Sequence, residues 1–129
     1  MRKKVLIVGN SATGYALAKK MSEKHDIFIM PASDTLKEFA NCLDIRENSV
    51  QEILEFVLEN GIDLTIPLSE STLQTDIVPA FVEHKLQIFA PSKEASKIVF
   101  DKAYAKKTMY KLRIPTPKFG IFEKEDNDE

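Results

Sequence analysis

Apolar positions recur along this chain in two rhythms. Val5-Leu6-Ile7-Val8 and Ile27-Phe28-Ile29-Met30 are unbroken apolar runs, the pattern of parallel strands covered on both faces. Leu64-Thr65-Ile66 and Gln87-Ile88-Phe89 are shorter segments read as strands, and Leu43–Ile45 is read as a short third strand or an extended segment. Between them the spacing turns helical. Ala12–Lys24 places Ala16, Leu17 and Met21 on one side. Ser49 with Glu52 forms a capping-box pattern ahead of Ile53, Leu54, Val57 and Leu58, and Gly61 follows as a left-handed stop. A further helix is expected over Leu73–His84, with Pro79 tolerable if it starts late or bends. Strands alternating with helices at this spacing predict an α/β fold, a Rossmann-like parallel sheet flanked by helices.

Ligands of such sheets gather beyond the carboxyl ends of the strands. That rule selects the loops Gly9–Gly14, Pro31–Asp34, Pro67–Ser71 and Ala90–Lys93. In the first, Gly9 and Gly14 match the outer glycines of a dinucleotide loop, but Ser11 takes the middle place and no acid ends the second strand at Met30. A dinucleotide site is therefore not expected, and Tyr15 after Gly14 excludes a P-loop lysine. What remains is a helix start whose free N–H groups, with Asn10 and the Ser11 hydroxyl, suit one phosphate or carboxylate; the alternative is that Ser11 only caps its helix. Glu70 in the fourth-strand loop can accept hydrogen bonds from a ribose hydroxyl or an amine, or can simply complement a helix dipole.

Charge redistributes this picture toward one end. The net charge is −2, yet Pro91–Pro117 carries seven basic residues against Glu94 and Asp101. Ile98, Ala105, Met109 and Leu112 form an apolar stripe there, and Ile114-Pro115-Thr116-Pro117 ends it. The overall acidity argues against a nucleic-acid partner. One cysteine, Cys42, excludes an intramolecular disulfide, and with two scattered histidines it makes no zinc site. No apolar run reaches the length of a membrane span, and the polar Asn10-Ser11 after the first strand argues against a signal peptide, so a cytoplasmic location is expected.

The stretch Pro91-Ser92-Lys93-Glu94-Ala95-Ser96-Lys97, then Asp101-Lys102, then Lys111-Leu112-Arg113-Ile114-Pro115-Thr116-Pro117, resembles the junction of ATP-grasp ligases. Among these the chain, from Lys4 to about Phe122, is most similar to the glycinamide ribonucleotide synthetases (phosphoribosylamine–glycine ligases). The resemblance implies two parts. Residues 1–92 would be the Rossmann-like N-terminal substrate domain and 93–122 a helical junction to ATP-grasp domains of the same protein; beyond the resemblance, the polar composition of Glu123–Glu129 predicts a frayed tail. The resemblance also implies ATP-dependent joining of glycine to 5-phosphoribosylamine in purine biosynthesis, with ATP and Mg²⁺ serving the full-length enzyme. Gly9, Asn10, Ser11, Gly14 and Glu70 would hold the phosphoribosyl substrate, and Lys102 would approach the ATP phosphates. A chain of this length would be an inactive N-terminal portion.

Two loops depart from the synthetase pattern. Ala12-Thr13-Gly14-Tyr15 stands where those enzymes continue Arg-Glu-His, and Pro67-Leu68-Ser69-Glu70 stands where they read Gly-Pro-Glu followed by Pro-Leu. Two other readings therefore stay open: a different ATP-grasp carboxylate–amine ligase or carboxylase, and a stand-alone, non-enzymatic Rossmann-like binding module.

Overall fold

The structure, a computed structural model, describes residues 1–122. Residues Met1–Ser96 form one compact unit, and the described residues from Lys97 form a second. The first unit is built on a parallel sheet of four strands in the order β3-β2-β1-β4. These are β1 (Lys4–Val8), β2 (Asp26–Met30), β3 (Asn41–Cys42) and β4 (Leu64–Pro67). Helices α1 (Ala12–Ser22) and α2 (Val50–Asn60) supply the first crossovers, and α3 (Glu70–Leu73) and α4 (Ile77–Glu83) follow β4. The boundary between the units falls within helix α5 (Lys93–Phe100), and α6 (Lys102–Lys111) belongs to the second.

The unbroken apolar runs are needed because the sheet is covered twice. Leu6 and Val8 of β1 and Met30 of β2 pack with Ile53, Leu54 and Val57 of α2 and with Ile77 and Phe81 of α4. Val5, Ile7, Ile27, Ile29 and Ile66 face the other way, toward Ala18 of α1 and Leu36. Each such side chain contributes roughly 1.5–3 kcal/mol when fully buried. The register Val5↔Ile27 and Val5↔Leu64 keeps the two faces consistent across three strands.

Several expectations need correction. The third strand lies at Asn41–Cys42, not Leu43–Ile45; Leu43 and Ile45 are apolar because they pack on the α2–α4 cluster. The fifth run forms a single bridge, Thr65↔Ile88, in place of a strand, with Phe89 N–H donating to the Thr65 carbonyl at 2.9 Å. The helix expected over Leu73–His84 is two helices interrupted at 74–76. Pro79 falls in the first turn of α4, where its missing N–H has no helical partner to lose. Gly61 does adopt the left-handed cap at φ 61°, but Ser49 makes no side-chain cap, so the capping box does not form. On α1 the buried positions are Gly14 and Ala18, with Leu17 and Met21 half-buried and Ala16 exposed. Leu58 is exposed as well.

The basic segment near the end is two helices and not one stripe, because Asp101 caps α6 by accepting from the Tyr104 N–H at 2.9 Å. Ile98 and Leu112 are exposed while Ala105 is buried. The polar tail, 123–129, lies outside the described residues.

Candidate functional site

With β1 central, the chain leaves it toward β2 and β3 on one side and returns to β4 on the other. The strand order therefore reverses between β1 and β4. Crevices outside the carboxyl ends of the strands at such a switch point are where open α/β sheets take ligands.

Backbone bonds lace three loops together there. The Gly9 N–H donates to the Met30 carbonyl at 2.7 Å, and the Leu68 N–H donates to the Val8 carbonyl at 2.8 Å. The Asn10 amide donates to the Pro31 carbonyl at 3.4 Å. Gly9 sits at φ +127°, a conformation few other residues adopt, and a Cβ on it would meet the Ser69 nitrogen at 3.3 Å. Gly14 is required for a different reason. A Cβ there would stand 2.2 Å from the Gly9 carbonyl oxygen, so only glycine lets α1 begin this close beneath its own loop.

The predicted residues of the first loop divide by this geometry. Gly9 and Gly14 are buried and shape the backbone, while Asn10 and Ser11 are exposed. Ser11 is extended at the helix start and makes no side-chain cap bond, so its hydroxyl is not spent on the role that competed with ligand contact. Tyr15 packs edge-on against Phe39 with ring centroids 5.4 Å apart.

In the β4 loop, Glu70 is the first residue of α3 and is exposed. Its neighbours are tied down. Ser69 caps the helix by accepting from the Thr72 N–H at 3.2 Å, and its hydroxyl lies 2.7 Å from that of Thr72 and 3.0 Å from that of Ser71. The fully buried Thr72 hydroxyl donates to the Glu47 carbonyl at 2.6 Å, and the Ser71 hydroxyl donates to the Glu47 carboxylate at 2.5 Å. Glu47 went unnoticed in the sequence because its partners lie 24 and 25 residues away. The Ser/Thr-rich run 69–72 was the only local signal that the loop is held by hydroxyls.

In the second unit, Lys102 opens α6 and is exposed. With Ala103, Lys106 and Phe119–Phe122 it lines a concavity of about 430 Å³. Lys106 is committed there to the Thr116 hydroxyl, and its ammonium lies 5.7 Å from the Phe119 ring centre. Among the described residues, no group of three or more His, Cys, Asp or Glu could hold a metal ion, and no helix is long and apolar enough to cross a membrane.

A parallel α/β unit with its glycine-bearing loop and a carboxylate at the switch point defines the class, a Rossmann-like domain. Solved structures share the fold. N5-carboxyaminoimidazole ribonucleotide synthetase from Thermotoga maritima aligns over 98% of this chain and 35% of its own, with a TM-score of 0.70 at 20% identity. The biotin carboxylase domain of a thermophilic 2-oxoglutarate carboxylase aligns over 90% of this chain and 29% of its own, with a TM-score of 0.61 at 16% identity.

Sequence comparison narrows the class. Residues 3–98 match the family model described as phosphoribosylglycinamide synthetase, N domain, and the chain belongs to that family. It is 36% identical over 124 residues to phosphoribosylamine–glycine ligase of Caldanaerobacter subterraneus subsp. tengcongensis, covering 94% of this chain and 30% of that protein. It is 38% identical over 122 residues to the enzyme of the same name from Fusobacterium nucleatum, covering 92% and 29%. The chain thus spans about 30% of the length of the curated relatives it matches.

Proposed function

We propose that this chain is the substrate-holding N-terminal domain of a phosphoribosylamine–glycine ligase, an ATP-dependent enzyme joining glycine to 5-phosphoribosylamine in cytoplasmic purine biosynthesis. The observation that carries this reading is the meeting of the Gly9–Gly14 loop and the Glu70 loop at the switch point, in a chain belonging to the synthetase N-domain family. The start of α1 offers N–H groups and the uncommitted Ser11 hydroxyl to a phosphate. Glu70 offers a carboxylate to a ribose hydroxyl or an amine. Gly9 and Gly14 serve the ligand by bringing backbone close, and Asn10 flanks the loop.

The reaction itself would need the larger share of the protein present in the relatives. There ATP would phosphorylate the glycine carboxylate, and the amine would displace phosphate from the acyl phosphate. Lys102, exposed at the start of α6, suits pairing with an ATP phosphate as a point charge. Mg²⁺ would be held in that larger share of the protein, since among the described residues no group of three or more His, Cys, Asp or Glu could hold a metal ion.

The test is an NMR titration with ribose 5-phosphate, a stable stand-in for the unstable amine. Amide shifts at Gly9–Gly14 and Glu70, with the opposite end of the sheet silent, are the expected result. Absence of those shifts, or shifts confined to other loops, overturns the reading. A second reading, a sister ligase with another substrate, is favoured by Tyr15 packing on Phe39 at the place where the synthetases continue Arg-Glu-His. It predicts that ribose 5-phosphate leaves Ser11 unmoved while a different phosphorylated sugar or amine shifts it.

A further inference from the structure

We infer that Glu47 is a positioning residue of the candidate site, fixing the loop that carries Glu70 from the connection between β3 and α2. The inference deepens the reading above and rests on it where ligand contact by Glu70 is concerned.

The hydroxyl protons of the loop can be assigned one by one. The Ser71 hydroxyl donates to the Glu47 carboxylate, and the Thr72 hydroxyl donates to the Glu47 carbonyl. The Ser69 hydroxyl then has its own proton to give to Ser71 or Thr72, while its oxygen accepts the Thr72 N–H. Every donor has an acceptor, and both chains of donation terminate on Glu47. Without that carboxylate, Ser71 loses its acceptor and the hydroxyl network can reverse.

Residue 70 lies between the two serines and is the one exposed acid they bracket. An α3 of one turn, Glu70–Leu73, cannot hold itself in place by helical bonds alone. Its position is set by the Ser69 cap at one end and by Glu47 from the side. The anchor on the Glu47 side is firm because Thr72 is fully buried. Ser71 is consequently turned toward Glu47, which leaves Glu70 as the loop's ligand-facing side chain.

The experiment compares Glu47→Ala, Glu47→Gln and Ser71→Ala in the 129-residue chain. Glutamine keeps a side-chain oxygen that can accept from Ser71, and alanine does not. Three readouts are taken: affinity for ribose 5-phosphate, hydrogen exchange of the amides of residues 69–73, and the thermal midpoint. The expected result is faster exchange at 69–73 and about fivefold weaker binding in Glu47→Ala and Ser71→Ala, the scale of one lost hydrogen bond. Glu47→Gln should restore both, with thermal midpoints close to that of the parent chain. Unchanged exchange and affinity in Glu47→Ala overturn the inference. So does a Glu47→Gln variant as impaired as Glu47→Ala. If the parent chain does not bind ribose 5-phosphate, the phosphoribosyl reading fails alone. The exchange rates still decide the positioning role: faster in Glu47→Ala supports it, and equal rates overturn it.

Discussion

The two ends of the same sheet are built on opposite plans. At the amino end, charges are matched at short range. Arg2 pairs with Asp26 at 2.7 Å and also donates to the Ser22 and His25 carbonyls at 3.1 and 2.6 Å. Asp63 accepts from the Lys4 backbone N–H at 2.8 Å and from the Lys3 ammonium at 3.2 Å, and the Lys4 ammonium reaches the Asn60 carbonyl at 2.9 Å. At the carboxyl end, ion pairs are confined to the flanking loops, Lys37 with Asp34 and Lys93 with Asp76, while the Gly9 and Glu70 loops are built from glycines and hydroxyls, and the exposed Glu70 belongs to none of the five ion pairs among the described residues. An end whose polar groups already satisfy one another has little left for a ligand. The Gly9 and Glu70 loops keep their capacity, and this contrast supports placing the candidate site between them.

The largest break in that contrast should come from Gly14→Ala. The added methyl would sit at 2.2 Å from the Gly9 carbonyl oxygen, a backbone atom that cannot swing aside. Either α1 moves off the sheet or the Gly9 loop opens. Overpacking of this kind costs about 3 kcal/mol, and denaturant unfolding should show it. The parallel change at the amino end, Lys3→Ala, should move stability by less than about 1 kcal/mol, as exposed pairs do. A Gly14→Ala chain as stable as the parent would mean that the close approach of loop and helix is not built as described.

Next in size is Thr72→Val. The substitution keeps shape but removes the buried hydroxyl that donates to the Glu47 carbonyl and partners Ser69. Losing the donor of a half-buried acceptor costs about 1 kcal/mol or somewhat more. The loss should appear as lower global stability, unlike the local loosening expected of Glu47→Ala. Two variants on one network with different readouts would separate its buried anchor from its exposed clamp.

The amino-acid pattern made one part of this legible and hid another. β1 and β2 could be read because strands covered on both faces are apolar nearly throughout, and the chain has few other reasons to write Val-Leu-Ile-Val. The same logic misplaced the third strand. Leu43 and Ile45 are apolar for the sake of α2 and α4, whereas pairing falls to Asn41 and Cys42, whose side chains carry no strand signal. Gly9–Gly14 was legible because a sheet rule and a local glycine pattern coincide there. Glu47 was not, because its role exists only once a β3–α2 connection and a β4–α3 loop are brought together. Pattern reading finds elements and their ends; contacts between distant loops require the fold.

The smallest expected effect sharpens the amino end. The Lys4 N–H and the Lys3 ammonium both favour the ionised Asp63, with the backbone bond the larger influence, and hold its carboxyl below the usual carboxylate range. A pKa lowered by folding contributes stability that is fully present above the unfolded value, about pH 4. That contribution is lost as pH falls through the folded value. Asp63→Asn should therefore leave little difference from the parent once the pH has fallen below the lowered folded value, where the native carboxylate is itself protonated, and a small deficit near neutrality. The group is exposed, so added salt should shrink the deficit that comes from Lys3 while sparing the part due to the backbone N–H. A deficit that grew as the pH fell would reverse the assigned sign, and with it the claim that the amino end is held by charges already paired. If instead the deficit follows the expected course while ribose 5-phosphate binds the variant unchanged, the division of labour between the two ends stands: one fastens the sheet, and the other keeps its polar groups for a ligand.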